Sequence, residues 1–289
     1  SKKILKKRII TMIDSNYSVL MSVYEKENPK YLRQCIDSVL NQTLPPNQIV
    51  IVKDGTLTSD LDELIDHYDK SNPKLFNIVS LDENVGLGLA LNEGLKYCEN
   101  ELVARMDTDD IAVHNRFELQ VKEFLNNKNL CILGTNIAEF DDNPNKIISY
   151  RIVPSNHNDI LKFSKRRNPF NHPTVMYKKS EVLKVGGYSD YRRNQDLDLF
   201  VRMLISGSKS ANLDKTLVLF RANKNNLKRR KSWEKCRLNI QIVYKFWRKK
   251  HSSITDLIIV IISQISIFLL PMNFFEWLSH KFLRSKKFR

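Results

Sequence analysis

The sequence predicts an α/β fold, a mainly parallel sheet with helices on both faces, and three observations predict it. From Tyr17 onward, short β-rich apolar runs alternate with amphipathic stretches of helical period. The strand-like runs are apolar throughout rather than at every second position, the pattern of strands buried on both faces. Acidic residues, Asp54 and the Asp107/Asp109 pair, fall just past such runs, where open α/β sheets bind ligands beyond the carboxyl ends of their strands. With 289 residues, 42% hydrophobic and 27% charged, the chain has room for one such domain and a substantial appendage.

The elements follow in order. Tyr17–Val23 reads as the first strand, and the helix Lys30 to Asn41 sets Leu32, Ile36, Val39 and Leu40 on one side. Gln48–Val52 is a short buried strand closed by Asp54-Gly55. Leu61 to Lys70 is helical, Phe76–Leu81 is a strand and Leu87 to Cys98 a helix. Leu102–Met106 is a fourth strand, ending at Asp107-Thr108-Asp109-Asp110 and completing a Rossmann-like half. Then come a helix, Arg116 to Asn126, and a strand, Cys131–Ile137. The polar stretch from Asp141 to Lys165 receives no element, and Asn171 to Met176 returns to a buried strand. Gly186-Gly187-Tyr188 marks a turn, and a helix containing Asp196 to Leu204 turns Leu199 and Met203 towards the core.

Beyond about Asn223 the character changes, which divides the chain into a basic tail (1–16), a core domain (17–222) and a helical C-terminal region (223–289). The formal net charge of +15 is concentrated outside the core domain. Lys2, Lys3, Lys6, Lys7 and Arg8 crowd the tail, and a second cluster runs from Lys224 to Lys250. The apolar run Leu257 to Leu270, ended by Pro271, falls short of the ~20 residues that span a bilayer. Set between basic clusters, it reads as a membrane-surface element, against a re-entrant helix or one buried on the domain. Cys35, Cys98, Cys131 and Cys236 are scattered with no CxxC pair, which argues against a disulfide framework or a structural zinc and fits a reducing cytoplasm. No export signal is read, because Asp14 interrupts Ile9 to Ile13.

The chemistry-bearing residues each admit a plain alternative. Asp107 and Asp109, one residue apart after a buried strand and preceded by Arg105, can converge on a hard divalent cation; a solvated acidic turn is the competing reading. The Asp54 carboxylate can accept a hydrogen bond from a base or ribose, or simply form an Asp-Gly turn. Asp196 at a helix start can serve as N-cap or as general base. His172, beside Pro173, reads first as a structural histidine.

The residues Ser18 to Tyr24, Tyr31 to Thr43 and Ile51-Val52-Lys53-Asp54-Gly55 form an ordered series. Asn84-Val85-Gly86-Leu87, Ala104 to Asp110, Asn171 to Val175, Gly186-Gly187-Tyr188 and Gln195 to Leu199 continue it. Over roughly Tyr17 to Arg221 the series resembles the family 2 glycosyltransferases, inverting enzymes of the GT-A fold, in the branch of bacterial capsule, exopolysaccharide and O-antigen assembly. The resemblance implies a GT-A mixed sheet flanked by helices. It implies that Ser22, Val23, Tyr24 and Asp54 hold the base, usually uracil, with Asn84, Gly86, Arg105 and Thr108 also lining the nucleotide-sugar site. It places Asp107 near ribose and diphosphate, Asp109 with it on Mn²⁺ or Mg²⁺, and Asp196 as base. Gln195, His172 and Asp110 are implied as acceptor or sugar contacts. Two departures are visible: Gln195 stands where the family usually has Glu, and Lys53 where it often has Asp.

The implied activity is transfer of a hexose or N-acetylhexosamine (Gal, Glc, GlcNAc or GalNAc) from a UDP-sugar to a lipid-diphosphate-linked saccharide, forming a β-glycoside. The enzyme would sit peripherally on the anionic inner face of a bacterial plasma membrane. A lipooligosaccharide core or a protein-linked glycan is the alternative acceptor. A processive synthase is disfavoured because no Gln-x-x-Arg-Trp motif follows Asp196. Nucleic-acid binding, suggested by charge alone, lacks a recognisable helix-turn-helix, zinc-finger or RNP pattern, and a silent sugar-binding module would have lost Asp109 or Asp196.

Overall fold

The computed structural model describes residues 15–222 and 232–270. The parallel half comprises β1 (Tyr17–Val23), β2 (Gln48–Lys53), β3 (Phe76–Ser80) and β4 (Leu102–Arg105), with α1 (Pro29–Leu40), α2 (Ser59–Ser71) and α3 (Leu87–Tyr97) in the crossovers. The remainder adds β5 (Ile111–Ala112), α4 (Arg116–Asn126), β6 (Leu130–Phe140), β7 (Ile147–Arg151), α5 (His157–Ser164), β8 (Met176–Lys178), α6 (Lys179–Lys184), α7 (Gln195–Ile205) and β9 (Lys209–Arg221). One sheet runs β3-β2-β1-β4-β8-β6-β9-β5, with β7 hairpinned onto β6. β1 is parallel to both β2 and β4, whereas β8 is antiparallel to β4 and β6, and β9 is parallel to β6. The sheet is therefore mixed, and the predicted parallel half is its β3-β2-β1-β4 side.

Alternate strand residues explain why the strands are apolar throughout. Val19, Met21, Ile49, Ile51 and Ala104 face one way, onto Leu32 and Ile36 of α1, Leu61 and Ile65 of α2 and Phe117 of α4. Leu20, Val50, Val52 and Val103 face the other, onto Ala90, Leu91 and Leu95 of α3 and Phe200 and Met203 of α7. With each buried aliphatic side chain contributing roughly 1.5–3 kcal/mol, this double layer makes the sheet a rigid platform. The four cysteines are free thiols.

Three expectations are corrected. Asn171 to Met176 is not a strand. His172–Thr174 is a 3₁₀ turn, with Thr174 N–H donating to Asn171 O at 2.9 Å, and only Met176–Lys178 pairs into the sheet. Pro173 has no N–H for a ladder and a φ that suits such a turn. The polar stretch from Asp141 to Lys165 holds β7 and α5, and β9 occupies residues given no element. Asp196 is not the N-cap of its helix: Asn194 takes that place in the left-handed region (φ 59°), and Asp196 sits in the first turn.

The C-terminal region forms a helical hairpin, α8 (Trp233–Arg248) and α9 (Ile254–Leu269), seated directly on the domain. Ile242 and Phe246 pack on Leu197 and Val201 of α7. Lys245 Nζ donates to Asp198 Oδ1 at 3.0 Å. α9 starts with a Ser253/Asp256 capping box, and Asp256 also pairs with Arg166 at 2.5 Å. Leu257 and Val260 pack against Val243 and Trp247, while Ile258, Ile259, Ile262, Ile265, Phe268 and Leu269 stay exposed. No helix among the described residues is long and apolar enough to cross a membrane. The basic residues at 1–14, 223–231 and 271–289, and Pro271, lie outside the described residues.

Candidate active site

Because β1 lies between β2 and β4 in parallel register, with Val23 opposite Lys53 and Leu20 opposite Arg105, their carboxyl ends share one edge. Ser22, Val23, Tyr24, Asp54 and the Asp107–Asp110 turn are all on that rim. Asp54 is buried there. Its Oδ1 accepts from Val85 N–H at 2.8 Å and its Oδ2 from Gly86 N–H at 3.1 Å. Burial pushes its carboxyl up, and those two N–H groups oppose the shift. Asn84 Nδ2 adds a bond to Asp54 O at 3.2 Å. Gly86 can close this turn because its φ is +91°, and Gly55 (φ +85°) lies so close that a Cβ would meet Asn84 N at 2.8 Å. Asp54 therefore shapes the rim at the start of α3 as well as facing it.

The acid turn is a concentrated negative site. Asp107 pairs with the fully buried Arg105. Thr108 Oγ1 donates to Glu27 Oε2 at 2.5 Å, bringing a further carboxylate from the loop after β1. Burial first, then the Asp107 and Glu27 charges, push Asp109 up to about 7. Asp110 is raised well above the usual range, by burial and then by Asp109 and Asp107. Its Oδ1 accepts from Arg221 N–H at 2.9 Å, while its buried Oδ2 has no hydrogen-bond partner.

Arg221, at the end of β9, holds this turn from behind. Its guanidinium stacks over Tyr31 (3.8 Å) and Phe140 (4.6 Å), and Nε donates to Asp109 O at 2.9 Å.

A buried relay joins the acid turn to α7. Arg105 Nε donates to His172 Nε2 at 3.4 Å, and the Tyr188 hydroxyl contacts the same nitrogen at 3.0 Å. Tyr188 is pinned in turn to Asn92 of α3 by two backbone–amide bonds of 2.8 Å. Burial, with the Arg105 charge beside it, holds His172 well below the usual histidine range, so it is a neutral acceptor. The next residues enter α7, where Asp196 is half-buried and its Oδ2 accepts from Asn168 Nδ2 at 2.6 Å. Burial raises the Asp196 carboxyl, opposed by the Leu197 N–H and by the Lys235 and Arg151 charges.

Some expected contacts are relocated. Asp110 is fully buried under β9, Arg105 spends its donors on Leu20 O, Met106 O and Asp107, and His172 lies inside the relay. These three side chains are held inside the domain, beneath the rim. Gln195 is buried against Gly88, whose Cβ would meet Gln195 Cγ at 3.2 Å, so it packs α7 onto α3. Sequence reasoning missed Glu27, Arg221 and Asn168. A carboxylate shortly after β1 offered the one local signal, whereas Arg221 and Asn168 reach the site only through the tertiary fold.

The donor set fits a divalent cation. Asp109 and Asp107 are hard oxygen ligands; crowding with Asp107 and Glu27 raises Asp109, and the buried Asp110 Oδ2 has no hydrogen-bond partner, both of which a cation would relieve. Among the described residues no group of three or more His, Cys, Asp or Glu side chains forms a complete cage. One or two carboxylates completed by substrate phosphates is how Mg²⁺-type ions are usually held.

Residues 18–194 match the model of Glycosyl transferase family 2. The chain belongs to this family. Relatives extend the match across the chain. It is 38% identical over 269 residues to the UDP-Gal:alpha-D-GlcNAc-diphosphoundecaprenol beta-1,3-galactosyltransferase of Escherichia coli, covering 93% of this chain and 96% of that one. It is 35% identical to the amylovoran biosynthesis glycosyltransferase AmsE of Erwinia amylovora, covering 78% and 84%. Among solved structures, the mannosyltransferase PcManGT of Pyrobaculum calidifontis superposes with a TM-score of 0.61 at 14% identity, covering 88% of this chain and 70% of that one. TarS of S. aureus superposes at 0.59 with 18% identity, covering 94% of this chain and 44% of that one. The family 2 glycosyltransferase described here thus has the GT-A fold; its acid turn lies within the matched residues, and α7 begins just past their end.

Proposed function

We propose that this glycosyltransferase moves a hexose, galactose being the first to test, from its UDP-sugar onto a saccharide linked to a lipid diphosphate, with inversion to a β-glycoside. The observation that carries this reading is the 38% identity, over 93% of the chain, to a galactosyltransferase whose name specifies that donor and that kind of acceptor. Ser22, Val23, Tyr24 and the Asp54-held turn receive the base and ribose. Asp107 and Asp109 would hold Mn²⁺ or Mg²⁺, with Asp107 kept in place by Arg105. A cation bound there neutralises charge developing on the leaving diphosphate.

Asp196 acts as the base. Burial raises its pKa and makes it a better proton acceptor than an ordinary carboxylate, while its place in the first turn of α7 favours the charged form. The acceptor hydroxyl gives its proton to Asp196 while its oxygen bonds to the anomeric carbon. The bond from that carbon to the β-phosphate oxygen breaks on the opposite face, and the nucleoside diphosphate departs with the electron pair.

The exposed Ile258, Ile259, Ile262, Ile265 and Leu269 of α9, beside Arg248, Lys249 and Lys250, support docking on the anionic cytoplasmic face of a membrane. The domain boundary near residue 223 then separates catalytic and docking parts.

The test is a donor screen with Mn²⁺, a panel of UDP-, GDP- and dTDP-sugars and a synthetic lipid-diphosphate GlcNAc acceptor. Release of UDP from one UDP-hexose, lost with EDTA and in Asp109→Ala, is expected. Equal release from GDP- or dTDP-sugars overturns the donor assignment. Sedimentation with anionic vesicles tests docking: wild type is expected to pellet, and an Ile258→Lys, Ile262→Lys double variant to stay in solution.

A further inference from the structure

We propose that Asn168 is a positioning residue of the transfer reaction, holding Oδ2 of Asp196 and so fixing how the carboxylate meets the acceptor hydroxyl. The inference rests on the assignment of Asp196 as the base.

The geometry determines which end of the amide meets the carboxylate. Asn168 Oδ1 accepts from Phe170 N–H at 3.1 Å, so the NH₂ end must face Asp196, where Nδ2 lies 2.6 Å from Oδ2. The loop that carries Asn168 is clamped in turn. Arg151 donates through Nη2 to Asn168 O at 2.9 Å and through Nη1 to Asn171 Oδ1 at 2.7 Å. Asn171 Nδ2 then donates to Thr135 O of β6 at 2.8 Å. On the other side, the Phe170 ring meets Phe200 of α7 edge-on, with centroids 5.2 Å apart. The loop is thus held to β6 and β7 on one side and packed on α7 on the other, and the carboxylate cannot rotate without breaking the Asn168–Asp196 bond.

The bond also bears on basicity. The charged or titratable groups around Asp196 are Lys235 of α8, Arg151 of β7 and Tyr188 of the loop before α7. Asn168 adds a neutral donor to the ionised form, which keeps the carboxylate charged in its half-buried place without neutralising it. A lysine or arginine there would lower the Asp196 pKa, and a carboxylate would raise it.

The experiment compares wild type, Asn168→Asp and Asn168→Ala for kcat against pH at saturating donor and acceptor, with donor KM and a thermal melt for each. Asp196→Asn is carried in parallel. Asn168→Asp keeps the shape but sets a like charge against Asp196, so the acid limb of kcat is expected to move up by about one to two pH units. In Asn168→Ala the limb moves up by less, and the plateau falls roughly tenfold as the carboxylate loses its fixed orientation. Donor KM stays at the wild-type value in both. An unmoved acid limb in both active variants overturns the positioning role, as does a loss expressed wholly in donor KM. Wild-type turnover in Asp196→Asn instead overturns the base assignment, whatever the Asn168 variants do.

Discussion

Removing the Asp198 carboxylate should cost far more than removing its most exposed partner. Asp198 lies two residues beyond the proposed base, is fully buried, and accepts from Ser189 Oγ at 2.6 Å, Arg202 Nε at 2.7 Å and Lys245 Nζ at 3.0 Å. These partners hold its pKa below the usual range against the pull of burial. Asp198→Ala leaves the Arg202 guanidinium, 11% exposed, bonded to Val185 O and Gly187 O but without a counter-charge. Stranding a buried charge in this way costs about 3–5 kcal/mol. Lys245 is 37% exposed and its loss leaves the Asp198–Arg202 pair intact, so Lys245→Met should cost about 1 kcal/mol or less. In a chain of this size that separates melting temperatures by roughly 5–15 °C, readable by differential scanning fluorimetry or urea unfolding. An Asp198→Leu, Arg202→Met double variant should recover part of the loss, since no charge is then stranded. Equal losses in Asp198→Ala and Lys245→Met, or a double variant worse than the sum of its singles, would refute this reasoning.

Three further outcomes are expected. Gly94→Ala should cost about 1–3 kcal/mol in urea unfolding, because its Cβ would stand 2.4 Å from Leu20 Cδ1 and 2.6 Å from Val52 Cγ2 in the tight seam between α3 and the sheet. Arg221→Ala should weaken Mn²⁺-dependent UDP-sugar binding by about tenfold in calorimetry, since Nε no longer holds the Asp109 carbonyl and the Tyr31–Phe140 stack collapses. Asp256 is held down to about 2 by Ser253 and Arg166, below its unfolded value of 3.8. A depressed carboxylate stabilises the fold above the unfolded pKa and loses that contribution as pH falls towards the folded one. Asp256→Asn should therefore lower stability at pH 6 yet differ little from wild type at pH 2, a contrast measured by melts across that range.

The parts of the fold that could be read from the sequence are those whose burial is simple. β1, β2 and β4 are sandwiched between helices, so their side chains are apolar on both faces and the strands stand out. β9 carries Asn212, Asp214 and Lys215, and its pairing with β6 slips in register near Asn136, so no regular alternation survives to be recognised. β7 and α5 are short and half-exposed, and Pro173 turned an apolar run into a 3₁₀ turn. In the site, the rim acids were visible because they follow strands. Asn168 was not, because its partner lies 28 residues away and nothing local requires the contact. Arg105 and Asp110 stand at a strand end in the sequence, which does not report that their side chains turn inward.

The acid turn is closed by a strand made much later. Arg221 binds Asp110 across 111 residues of chain, so a polypeptide leaving the ribosome carries its acids for about 5–20 seconds before their clasp exists. Asp196 emerges within that interval, ahead of Arg221. The order of synthesis therefore completes the proposed base before the proposed donor site is locked. The same topology makes the closing step a slow, long-range event in folding.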